Sequence, residues 1–534
     1  MLTLALTPNL NKDSLIIPKL MILFTMALFF LPTIVKCFRE INWHLKAAFG
    51  IWLILTLLIF SLVILFMSAS PYEQLIYGRT GRGLGFITFF SSYTLIIASF
   101  FYISFEKLNK LQFGITLSGL ATSMYGIMQY FDLDLFDWDS KTNGIIGTLG
   151  NPNFQSSFAA MTLMPAIFYQ WKSSYRLLIR LTCLVILLFS VFIANSTQGY
   201  IGIIVAIMVF ALIYFWFKSK VIATVFGFFG LASGVIALFG MLGHGPLSYY
   251  LYKISVQSRG DFWRSAIETG SNHPVFGVGF DSFGDYSLKY RDQIAANHVF
   301  AEYTDSAHNY YLDYLATGGF IFFMLNILFT IFVFYSFYKI QRNISEFNSV
   351  LTAIFCFWLI CQIQSIVNPM SITFLAWNAL VSGAIMGIAN KMFFSSEKNQ
   401  ELSKGQGLAS YAKILSFIFA FLAILITLPL FNSDREQLKA IRTGNGDLLI
   451  KAVTAYPESV LKYSQASRDL LASGLPDQAL NLARKSVEFN PNSPALWALI
   501  LINPNAPKNE RVSAKEKILE LDPLNKEVSN FPIP

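Results

Sequence analysis

Arg259 and Trp263, four residues apart, open a polar stretch from Ser258 to Phe320. The stretch continues through Pro274-Val275-Phe276-Gly277-Val278-Gly279 and His308-Asn309 and ends in Gly318-Gly319. A guanidinium is permanently charged, and its planar fork of donors matches the oxygens of a phosphate. At the mouth of a hydrophobic groove, Arg259 would suit the diphosphate of a polyprenyl carrier. Imidazole titrates near neutrality, so His308 suits the removal of a proton from an attacking hydroxyl. Together these groups suggest chemistry on an anionic, lipid-linked substrate. Each also has a plainer reading on its own: Arg259 has Asp261 at hand for a surface salt bridge, and a single histidine ahead of an aromatic helix suits a structural place at an interface.

Other polar groups invite the same two-sided reading. Asn151-Pro152-Asn153 follows Gly147-Thr148-Leu149-Gly150 and an acidic patch at Asp132, Asp134, Asp137 and Asp139. It reads as a helix-capping turn with a sugar or hydroxyl contact as the alternative. Asn195-Ser196-Thr197-Gln198-Gly199 is a short amide- and hydroxyl-rich turn between two apolar runs. Gly78-Arg79-Thr80-Gly81-Arg82-Gly83-Leu84-Gly85 is glycine-rich but runs straight into an apolar segment, without the strand and turn of a phosphate cradle. It reads as an interfacial turn, with a substrate contact through Arg79 or Arg82 as the alternative. No nucleotide-binding fingerprint occurs. His44, His244, His273 and His298 show no ligand spacing, and Cys37, Cys183, Cys356 and Cys361 lie in or beside apolar runs. Neither a metal site, a cofactor nor a disulfide framework is expected.

The elements that must position these residues belong to a membrane. In 534 residues, 54% are hydrophobic, 16% aromatic and only 13% charged, which excludes an ordinary soluble protein. Twelve apolar runs approach the roughly 20 residues of helix needed to cross a bilayer. They lie near 19–36, 46–67, 84–105, 111–131, 154–171, 177–194, 199–217, 221–242, 319–338, 350–367, 370–390 and 411–431. Because lipid offers backbone groups no partners, the expectation is an all-α, polytopic fold with about twelve transmembrane helices. Short loops on one side carry sixteen Lys and Arg, among them Lys36, Arg39, Lys46, Lys172, Arg176, Lys398 and Lys404; the other side has Arg79, Arg82 and Lys141. The basic side is cytoplasmic by the positive-inside bias. The loop 243–318 and the C-terminal tail therefore face outward, into a periplasm where one exists. The same bias accounts for a net charge of +8 without any nucleic-acid partner.

Beyond Phe431 the composition turns polar and charge-balanced. Tyr456-Pro457, Asn490-Pro491 and Asp522-Pro523 recur there at spacings of 34 and 32 residues, a period characteristic of tetratricopeptide-like helical repeats. The expected division is a membrane domain over 1–431 and a soluble helical tail over 432–534. The tail would act as a docking surface for an envelope protein or as a cap over the site.

Arg259-x-x-x-Trp263, Pro274-x-Phe276-Gly277-x-Gly279, Ala307-His308-Asn309-x-x-Leu312 and Gly318-Gly319, in this order over residues 145–370, resemble the O-antigen ligase and polymerase superfamily of envelope glycosyltransferases. With the tail, the chain resembles members bearing C-terminal tetratricopeptide repeats. The resemblance implies a GT-C-like membrane fold. It also implies metal-independent, inverting transfer of a glycan from an undecaprenyl-diphosphate donor to a hydroxyl of lipid A core, a growing glycan or a protein. Arg259 would bind the diphosphate, His308 would act at the reacting centre and Asn309 would fix its geometry. The family's second arginine would stand where this chain has Gln198, with Arg79, Arg82, Arg264 or Arg291 as substitutes. A lipid-linked saccharide flippase and a non-catalytic scaffold are the competing classes. Intramembrane charges would mark the flippase, and indifference to loss of Arg259 and His308 would mark the scaffold.

Overall fold

The computed structural model describes residues 2–38, 43–134, 136, 145–298, 303–394 and 410–533. Arg39, Asp137, Asp139, Lys141, Lys398 and Lys404 lie outside that set. Every regular element among the described residues is helical. The helices of the membrane part are α1 (Ile16–Phe38), α2 (Leu45–Met67), α3 (Tyr72–Tyr77), α4 (Phe86–Tyr102), α5 (Leu108–Tyr130), α6 (Pro152–Phe168), α7 (Arg176–Ile193), α8 (Thr197–Lys218) and α9 (Lys220–Met241). The polar stretch forms α10 (Ser248–Leu251), α11 (Ile254–Asn272), α12 (Phe283–Tyr286) and α13 (Gln293–Asn297). Then follow α14 (Tyr310–Asn343), α15 (Ser349–Ser365), α16 (Ile372–Phe394) and α17 (Ser410–Thr443).

All twelve apolar runs are helical, and the chain is an all-α, multi-pass membrane protein. Length and apolarity do not single out all twelve alike. By length and apolarity, eight helices among the described residues can each cross a membrane: α1, α2, α7, α8, α9, α14, α16 and α17. α4 and α5 meet at a 110° bend and form one broken or re-entrant unit. α6 and α15 have 17 residues each and lie largely inside the bundle. Around them α1 packs on α4 and α17, α4 on α16, and α6 on α5, α7, α8 and α15.

The glycine motifs of the polar stretch are explained by one close backbone approach. α14 breaks at Gly319, where φ is 76°. Against that break lies the chain after α11: Val278 N–H donates to Ala316 O (2.9 Å), Gly279 N–H to Thr317 O (3.0 Å) and Phe320 N–H to Pro274 O (2.7 Å). A Cβ on Gly277 would stand 2.3 Å from the Thr317 carbonyl carbon, and one on Gly319 would stand 2.5 Å from Val275 O. No other residue allows the two segments to approach this closely at positive φ.

The tail continues from α17 into α18 (Gly446–Val453), α19 (Val460–Ala472), α20 (Pro476–Phe489), α21 (Pro494–Ile502), α22 (Lys508–Leu521) and α23 (Lys526–Ser529). These helices pack around their own apolar core, which includes Leu470, Leu480, Leu496 and Ile518. α19 and α21 begin a few residues after Pro457 and Pro491, where the spacing places new helices.

Candidate functional site

Three loops and one helix face enclose a cavity of about 460 Å³. The N-terminus of α6 supplies Asn151, Asn153 and Phe154; α11 supplies Ser258, Arg259 and Phe262; the segment before α14 supplies Tyr303, Thr304, Asp305 and His308; the turn between α15 and α16 supplies Asn368 and Pro369. Every lining residue falls within 145–370, and Arg259, His308, Asn151 and Asn153 of the sequence-based candidates meet here.

Arg259 is carried on the second turn of α11, at the cavity wall. Burial pulls its pKa below the usual guanidinium value, yet arginine stays a cation at any physiological pH. His308 sits at φ 51°, a left-handed position just ahead of α14. Its N–H donates to Ser306 Oγ (2.9 Å), and its Nδ1 lies 3.3 Å from Ser306 O. A carbonyl only accepts, so Nδ1 carries the proton and Nε2 keeps its lone pair. Burial lowers the imidazole pKa, with the nearby Arg259 charge acting in the same direction. His308 is therefore neutral and basic at Nε2 in the neutral range, which is the state a general base requires.

The turn bearing His308 is held from below. Asp313, in the first turn of α14, accepts from Ala307 N–H (2.8 Å) and from Ser306 Oγ (3.0 Å). Asn309 accepts from the N–H groups of Tyr311 and Leu312. It caps α14, so its side chain anchors the helix and does not bond the imidazole.

Arg79 and Arg82 lie outside the cavity lining, in an ionic layer. Arg82 Nε is 2.8 Å from Asp281, Nη1 is 3.0 Å from Asp305 and Nη2 is 4.0 Å from Asp313. Arg79 is 3.3 Å from Asp285 and stacks over Tyr303 with its Cζ 5.2 Å from the ring centroid. Burial works to raise the Asp305 carboxyl, but Arg82 and Arg79 outweigh it and hold the group below the usual value. The two arginines thus support the cavity wall through Asp305 and Tyr303. Arg264 pairs with Asp261 and Asp292, Arg291 with Asp522 of the tail, and neither lines the cavity. Trp263 is half-buried and also off the lining.

Gln198 is likewise not part of the lining, although its turn is tied to it. Ser196 Oγ donates to Asn153 Oδ1 (2.7 Å), Gln364 Nε2 donates to Gln198 O (3.0 Å), and Asn368 Nδ2 donates to Gln364 Oε1 (3.0 Å). Asn151 accepts from Asn153 N–H (2.8 Å) and caps α6, while both asparagines keep atoms on the cavity. Sequence reasoning missed Tyr303, Asp305 and Asn368. The last had a signal: Asn368-Pro369 repeats the Asn-Pro pattern of Asn151-Pro152 between two apolar runs.

Residues 182–327 match the family model described as O-antigen ligase. The match contains Arg259, His308 and the glycine contact between α11 and α14. No curated protein matches the chain. This part of the chain is therefore similar to the O-antigen ligase domain, in keeping with the order of its motifs, and the match supports a glycosyltransferase-type ligase or polymerase role.

Proposed function

We propose that this cavity transfers a glycan from an undecaprenyl-diphosphate-linked donor to an acceptor hydroxyl, with inversion at the transferred sugar and without a metal ion. The observation that carries this reading is the placement of a cationic Arg259 and a neutral, Nε2-basic His308 on one cavity of about 460 Å³. The acceptor oxygen forms a bond to the sugar's anomeric carbon as the bond to the diphosphate oxygen breaks. Its proton passes to His308 Nε2, and the leaving diphosphate keeps the electron pair. Arg259 neutralises the charge that develops there, an interaction that grows toward the transition state and so lowers the barrier. Asn151 and Asn153 offer amide groups to sugar hydroxyls.

In this reading the protein resides in the bacterial inner membrane with cavity and tail on the periplasmic side, as the basic-residue bias supports. A donor already flipped across the membrane suits that side, where nucleotide sugars are not available. The membrane domain spans 1–431, and the tail over 432–534 is a repeat-like helical unit of its own. The acceptor class is lipid A core, a growing polysaccharide or a protein. Deleting the gene and profiling surface polysaccharide, glycoproteins and lipid-linked intermediates together tests the proposal. Accumulated donor with loss of long chains on lipid A indicates a ligase, short donor chains a polymerase, and an unglycosylated protein an oligosaccharyltransferase. Unchanged profiles in all three pools would contradict the transfer function.

A further inference from the structure

Three residues that precede prolines in the tail, at spacings of 34 and 32, all bond to the membrane part. Tyr456 Oη donates to Tyr77 Oη (3.4 Å), Asn490 Nδ2 donates to Asp285 Oδ2 (3.1 Å), and Asp522 Oδ1 lies 2.8 Å from Arg291 Nη2. Neighbouring residues add to this edge: Asn492 Nδ2 donates to Tyr286 Oη (3.1 Å) and Lys526 Nζ to Asn297 Oδ1 (3.1 Å). The tail thus spends one whole edge, a turn from each repeat, on the chain around the cavity.

The central pin leads inward, and both of its members are buried. Asn490 and Asp285 are each 1% exposed. Asp285 also accepts from Gln74 Nε2 (3.0 Å) and pairs with Arg79, whose guanidinium stacks on Tyr303 of the cavity wall. The path from tail to cavity is therefore Asn490, Asp285, Arg79, Tyr303. A buried carboxylate facing one arginine needs its remaining lone pairs satisfied, or it draws the arginine out of place. Asn490 meets that need from outside the membrane part.

We propose that the tail is a built-in brace of the cavity, with Asn490 a positioning residue that acts through Asp285 and Arg79 on the wall at Tyr303. The interface is internal to this chain. Any outside partner would have to use the opposite edge of the repeats. The functional meaning rests on the cavity being the reaction site, but the brace itself does not.

Hydrogen–deuterium exchange of the purified full-length protein, read over residues 303–309, tests the brace without any substrate. Asn490→Asp sets a second carboxylate against Asp285 with almost no change of shape. It should raise exchange over 303–309 by about tenfold or more. Asn490→Ala removes the donor without adding a charge and should raise exchange less than Asn490→Asp does. Repeating the pair in a His308→Ala background should give the same response, so failure of the transfer reading would not be mistaken for failure of the brace. Should Asn490→Asp fail to fold, Asn490→Ala carries the test alone. Unchanged exchange in the variant that folds, or a larger rise in Asn490→Ala than in Asn490→Asp, overturns the proposal.

Discussion

Replacing Gly277 by alanine should loosen the contact between the α11 side of the site and the α14 break far more than an ordinary glycine substitution would. At φ 62°, an alanine enters a left-handed conformation that disfavours it by about 1–2 kcal/mol. Its Cβ would stand 2.3 Å from the Thr317 carbonyl carbon and 2.6 Å from Ala316 O. Both atoms are backbone, so the segments must separate. Separation breaks the bonds from Val278 N–H to Ala316 O and from Gly279 N–H to Thr317 O, each worth about 1 kcal/mol net. The sum is about 3–4 kcal/mol, or roughly 10² to 10³ in the equilibrium for local opening. Gly245 is the matched control: its φ is 79° and a Cβ there meets nothing within 4 Å, leaving only the conformational share of about 1–2 kcal/mol. Amide exchange at Val278, Gly279 and Phe320 reads the effect directly. Protection at these amides that stays within about tenfold of the parent in Gly277→Ala would refute the argument that the motif glycines are there to let two backbones touch.

Two further outcomes follow from the His308 turn. Burial lowers the His308 pKa from its ordinary 6.5, so transfer should hold level through neutrality and fall only on acidification below that value, as Nε2 takes up a proton. Stability follows the same sign: the unfolded chain binds this proton more readily, so the contribution present at neutral pH is lost as pH falls below 6.5. A pH–rate profile and a pH series of thermal unfolding check the two halves. Asp313→Asn keeps the shape but weakens the acceptor under Ser306 and Ala307, a loss of about 1.5–3 kcal/mol if wholly felt at the base. Transfer should fall about ten- to a hundredfold, with the acid limb of the profile displaced. A rate loss with an unmoved profile would mean that Asp313 supports the fold and not the imidazole.

The helices were legible because lipid imposes long apolar runs, and each of the twelve runs is a helix. What periodicity did not give was which helices cross alone. The 110° bend between α4 and α5 and the enclosure of α6 and α15 are packing outcomes without a local sequence mark. Arg259, His308, Asn151 and Asn153 were legible as candidates because their chemistry and their loop positions agree. Arg79 and Arg82 were not separable from substrate contacts by sequence, since the acids that engage them, Asp281, Asp285, Asp305 and Asp313, stand about two hundred residues further along the chain. Asn309 looked like a partner for His308 because it is adjacent, but a residue at φ −154° immediately before a helix directs its carbonyl oxygen to the cap. The starts of α19, α21 and α23 in the tail were visible by the spacing of Pro457, Pro491 and Pro523. The engagement of the loop over 285–297 by these turns was not, because it depends on how two distinct apolar cores pack together.

Transfer of glycan from an undecaprenyl-diphosphate-linked donor by membranes or purified protein, compared among the parent, Arg259→Ala and His308→Ala, goes to the centre of the mechanism. Both variants should remain in the membrane at parental abundance and lose transfer essentially completely, Arg259→Ala together with tight donor binding and His308→Ala with donor still bound. Undiminished transfer in either, at equal abundance, would remove that residue from the chemistry and leave the cavity without its proposed acid-base or charge-stabilising group.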